Sequence, residues 1–162
     1  MDDCRPATHR LGKRAPRSVS PGAYGPRMAI RPPENWRAGI AEEARELAAG
    51  TLDPECACMA QLYPESLLRA TEDALHAFEE DVHALVAPSD EQVFDTIKRV
   101  VQRLNAVNED EQHGGAGYDT DERERLCEYI DQTLSEHGID VAALAARNGM
   151  GRAEITDAWR DW

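Results

Sequence analysis

Residues 64–104 read PESLLRATEDALHAFEEDVHALVAPSDEQVFDTIKRVVQRL, and their apolar positions decide the fold. Leu68, Thr71, Leu75, Phe78, Val82 and Leu85 recur at spacings of three and four, the seam of an amphipathic helix. Pro64 is placed to start that helix. Pro88 is placed to stop it, because the residue before a proline is pushed out of the helical region. Ser89 and Gln92 have the spacing of a capping box for a second helix. Its seam is Val93, Ile97, Val100 and Leu104, with Phe94 and Val101 widening the face. A linker of about three residues makes the two helices fold back antiparallel.

The same period extends both ways from this pair. Upstream, Ile40, Ala44 and Leu47 mark a helix from about residue 36, closed by Gly50. Asp53 and Pro54 read as the cap and first residue of a short helix to about Leu62. Downstream, Asp119 or Thr120 caps a helix that buries Leu126, Cys127, Ile130 and Leu134 and ends at Gly138. Asp140 caps a short helix from Val141 to Arg147. A last helix is expected from about Arg152, with Ile155, Trp159 and Trp162 on one face. No stretch alternates with period two. The expectation is an all-α fold, a compact helical bundle of about six to seven helices with a disordered N-terminal tail.

Composition sets the domain boundary. Residues 1–33 hold seven basic side chains against Asp2 and Asp3, a net of +5, which leaves −18 for residues 34–162 of the total −13. Six prolines and no apolar period make the first segment a basic, Pro-rich tail too poor in burial to offset ordering entropy. It reads as a bland tail or as a basic arm for an acidic surface, a partner's or the chain's own. Met28 offers a second start. Residues 34–162 form the acidic helical domain. Leu, Ile, Val and Phe number 28 of 162 residues; alanine supplies much of the remaining apolar mass, so the core has few large side chains to spare.

Net charge and motifs narrow the function classes. An acidic chain of pI about 4.7 is ill suited to phosphate backbones, so nucleic acid is disfavoured as a partner. No apolar run reaches the roughly 18 residues of a membrane span, and no secretory h-region opens the chain. A cytoplasmic location is therefore expected. No small-molecule substrate and no cofactor is implied.

Three constellations bear on chemistry. His76, Glu80 and His83 share a helix face, and Glu80-x-x-His83 has the spacing used in di-iron bundles, though no second such pair exists. They are the candidate set for a metal-dependent helical enzyme, beside the plainer reading of a solvated, mixed-charge face. Cys56, Cys58, Cys127 and His137 could supply zinc ligands, but Cys-x-Cys on a helix points the two thiols about 200° apart. Small, reduced, partly apolar thiols are the simpler reading. Cys4 lies in the tail. Glu109, Asp110 and Glu111 precede Gly114, Gly115 and Gly117 in a segment that is acidic, then flexible. With Asp119, Asp121 and Glu122 it forms a candidate anionic rim that steers a basic protein partner; the plainer reading is a solvated linker. As a calcium loop it matches only in acidity and in Gly115.

Val141–Arg160 resembles the helix-turn-helix pattern, with Ala145, Gly149, Met150 and Ile155 at the small, glycine and apolar positions. Facing DNA, Glu154, Asp157 and Asp161 would repel phosphates, so a DNA-binding regulator is an alternative and a structural corner the preferred reading. Gly117 to Glu124, then Leu126-Cys127 and the ending Ile155 to Trp162, resemble small acidic bacterial proteins of unknown function, some of them similar to immunity proteins of toxin systems. The resemblance covers about residues 89–162 and carries over no catalytic residue. It implies a small acidic binding protein, an immunity-type inhibitor of a basic protein partner.

Overall fold

A computed structural model describes residues 28–162. Among them the fold is all-α: α1 (Pro32–Ala49), α2 (Met59–Leu62), α3 (Glu65–His83), α4 (Asp90–Asn108), α5 (Thr120–Glu136) and α6 (Val141–Arg147), with four single 3-10 turns and no strand. The expected tail falls mostly outside the described residues.

The antiparallel pair of α3 and α4 is the centre of the fold and its largest interface between elements. Leu67, Leu68, Leu75, Phe78 and Val82 of α3 are buried in one cluster with Val93, Ile97, Val100, Val101 and Leu104 of α4. The capping box at Ser89 forms in both directions, the Ser89 Oγ accepting from Gln92 N and the Gln92 side chain from Ser89 N. Leu126, Tyr129, Ile130 and Leu134 of α5, and Val141, Leu144 and Ala145 of α6, complete the core.

Five sequence expectations are corrected. Helix α1 begins at Pro32, ahead of the expected boundary at residue 34. Pro32 and Pro33 are buried at the start of α1, and Arg31 forks onto Glu79 at 2.7 and 2.6 Å. A proline in the first helical turn lacks only an N–H that would be orphaned anyway, so these two open the helix instead of excluding it. Trp36 is the buried anchor of α1, stacked on Tyr63 with ring centroids 5.3 Å apart. Ala44 is exposed, and Ile40 and Leu47 are only partly covered. The helix expected over residues 53–62 is instead a 3-10 turn at Pro54–Cys56, capped by Asp53, followed by α2. Helix α3 stops at His83, several residues before Pro88, and Ala87 takes a positive φ of 45° in the turn.

The fifth correction concerns the C-terminus. The corner after α6 forms as the pattern requires: Ala145 and Ile155 are buried, and Gly149 takes φ 72°, the left-handed conformation glycine adopts without strain. The last helix does not form. Residues 152–154 and 157–159 make two separate 3-10 turns. Asn105 on α4 donates to the Trp159 carbonyl at 2.8 Å and accepts from Asp161 N at 3.3 Å. Those bonds draw the chain end onto α4, where Trp162 is buried beside Tyr118. No helix follows the corner to enter a major groove, so the DNA-binding alternative loses the element that would read bases.

Candidate functional site

The segment between α4 and α5 is tied down at several points. Asp110 caps a 3-10 turn at Glu111–His113, its Oδ1 accepting from Gln112 N at 2.9 Å. His113 is buried, with Nδ1 2.9 Å from Ser66 Oγ on α3. Asn108 Oδ1 accepts from Tyr118 N at 2.6 Å. A Cβ on Gly117 would meet that same oxygen at 2.7 Å, so glycine is what lets the strap close. The buried Tyr118 hydroxyl lies 2.7 Å from Thr71 Oγ1. The segment is a strap shaped by its glycines and held by one histidine and one tyrosine.

The strap forms one wall of an open cleft of about 1200 Å³. The end of α2, with Leu62 and Tyr63, forms the other wall, and the first turn of α5 lies at its base. All six expected rim residues, Glu109, Asp110, Glu111, Asp119, Asp121 and Glu122, line this cleft. Five of them are exposed. Glu122 is the exception, at 8% exposure. Its Oε2 accepts from Asp119 N at 2.9 Å to complete the capping box of α5, and its Oε1 accepts from the Tyr63 hydroxyl. It is a structural joint between α2 and α5 and not part of a solvent-facing rim. Burial first, then Glu122 and the charge of Asp121, push the Tyr63 phenol up from its ordinary range. Arg123 is the single basic residue of the lining, and its Nε donates to the Tyr118 carbonyl at 2.9 Å.

The metal candidates do not converge. His76 and Glu80 are exposed, with Nδ1 and Oε2 3.9 Å apart. His83 Nδ1 lies 2.7 Å from the Glu79 carbonyl, and its ring meets His137 edge-on at 5.6 Å. Cys56 and Cys58 are exposed. Cys127 lies elsewhere, between Thr156 and Arg160. Among the described residues no group of three His, Cys, Asp or Glu side chains is placed to hold a metal ion. Among them, too, no helix is long and apolar enough to cross a membrane.

Sequence reasoning found the carboxylates and missed the wall opposite. Leu62 and Tyr63 reach the cleft through a contact the sequence does not show, the Tyr63 hydroxyl on Glu122 59 residues away. Tyr118 did leave a signal: an aromatic side chain after three glycines in an otherwise polar segment needs somewhere to be buried. No protein family, curated protein or solved structure matches this chain.

Proposed function

We propose that this chain is an acidic binding protein whose cleft takes a basic, partly apolar segment of a protein partner, as an immunity-type inhibitor would. A cytoplasmic setting belongs to the same proposal. The supporting observation is the composition of the cleft. Five exposed carboxylates face one guanidinium that is bonded to backbone, and Leu62 stands 51% exposed beside them. None of Glu109, Asp110, Glu111, Asp119 and Asp121 has a basic partner among the described residues. Carboxylates gathered on low-dielectric walls focus the field and raise the encounter rate of a cation. A leucine at the edge gives an arriving amphipathic segment an apolar contact once the charges have steered it.

The test uses a synthetic peptide built from Lys, Arg and Leu. Glu109→Gln, Asp110→Asn and Glu111→Gln together remove three charges, and the amide introduced by Asp110→Asn keeps an oxygen to cap the 3-10 turn. Association at low salt should slow by about tenfold, and much less at high salt, because screening removes the steering. Equal rates for parent and triple variant at low salt would overturn the proposal.

A further inference from the structure

A second hollow lies on the opposite flank of α5. It is a trough of about 700 Å³ between α5 and the C-terminal 3-10 turns, floored by Cys127, Ile155 and Thr156 and edged by Glu124 and Glu128. Its guanidinium groups are engaged: Arg152 forks onto Asp131, and Arg160 bonds Asp157 at 2.8 Å. Glu124 and Glu128 have no basic partner among the described residues. A largely apolar trough with two unpaired carboxylates suits an extended segment that carries apolar side chains and arginines and no acid.

The chain supplies such a segment next door. Met28 and Ile30, 83% and 60% exposed, line a smaller hollow on α5 with Glu128 and Gln132. Both of those residues also line the trough, so the chain reaches the described body at the mouth of the trough. Residues 17–27 read RSVSPGAYGPR, with arginine at each end, Val19 and Tyr24 between them, and no Asp or Glu. Eleven residues can span up to about 36 Å. The trough runs along α5 from Glu124 to Ser135, about 17 Å at the helical rise. Tethering makes the encounter intramolecular, so weak contacts suffice for high occupancy.

We infer that residues 17–27 of this chain dock in the trough beside Cys127, drawn there by the charge of Glu124 and Glu128. The docked segment covers the Cys127 thiol, and that thiol reports on it. In the full chain with Cys4, Cys56 and Cys58 changed to Ser, Cys127 is the only thiol left. Its rate of reaction with N-ethylmaleimide is compared with that of the same chain carrying Arg17→Glu, Tyr24→Ser and Arg27→Glu. These changes all lie outside the helical body. The variant should react about five-fold faster or more, as expected if the parent segment is docked at least four-fifths of the time. Adding a synthetic peptide of residues 15–28 at millimolar concentration should slow the variant again. Equal rates in parent and variant would overturn the inference, and so would a peptide that gives no protection.

Discussion

Glu79 joins three parts of the chain. Arg31 holds both of its oxygens and the Tyr129 hydroxyl donates to one of them, so α3, α5 and the residues ahead of α1 meet on one carboxylate. The Arg31 hydrogen bonds, acting against the opposing cost of burial and aided by Tyr129, hold the Glu79 carboxyl below the usual carboxylate range. A carboxyl depressed in the folded state stabilises the fold above its unfolded value of about 4.3 and loses that contribution as pH falls through the folded value. Glu79→Gln should therefore cost about 1–2 kcal/mol at pH 7, and the gap between variant and parent should narrow as pH drops below 4. Urea unfolding of both proteins at the two pH values measures this; a gap independent of pH would mean that Glu79 acts through shape alone. The opposite limb belongs to the phenols. Burial above all pushes Tyr63, Tyr118 and Tyr129 up from their ordinary range. The unfolded chain ionises first, so stability should fall as pH rises past about 10. Absorbance at 295 nm should show these three tyrosines ionising only as the helical signal is lost.

Elements differ in how openly the sequence declares them. Helices α3 and α4 were legible because each carries a seam over three turns or more, with punctuation at Pro64, Pro88, Ser89 and Gln92. Phe78 is fully buried between them, and Phe78→Ala should cost about 3–5 kcal/mol. Ser89→Ala removes one half of the capping box and should cost about 1 kcal/mol. Thermal unfolding followed by circular dichroism ranks the two; a Phe78→Ala protein that melts with the parent would contradict the pairing. The ends of the chain were less legible, for separate reasons. Pro32 and Pro33 signal a helix start as readily as a break, and the choice turned on Trp36 finding Tyr63, a contact across 27 residues. Ile155, Trp159 and Trp162 have helical spacing, but a spacing states only which residues share a side. Asn105, more than 50 residues away, takes the Trp159 carbonyl and sets the chain end in 3-10 turns. The cleft divides in the same way. Its charges were visible as composition, whereas the inward turn of Glu122 required Tyr63 to be known as its partner.

At the scale of the whole molecule, two electrostatic effects oppose each other. The chain carries −13, and Glu109, Glu111, Asp121, Glu124 and Glu128 stand exposed with no basic partner among the described residues. Their mutual repulsion acts over distances comparable with the Debye length, about 10 Å at 0.1 M salt. Against it stand ion pairs such as Arg37 with Glu65 and Glu72, Arg99 and Arg103 with Asp81, and Arg147 with Asp90. Those pairs are short-ranged and mostly solvent-exposed, so each contributes little. Salt weakens both effects, but it acts most on the long-range term, which sums over every unpaired carboxylate. Repulsion should therefore win, and the melting temperature should rise by a few degrees between about 10 and 200 mM sodium chloride. The Glu109→Gln, Asp110→Asn, Glu111→Gln protein should start higher at low salt and gain less. A melting temperature that falls as salt is added would assign the larger share to the ion pairs, and would make the arginines that bind α1 to α3 and α3 to α4 the main electrostatic support of the fold.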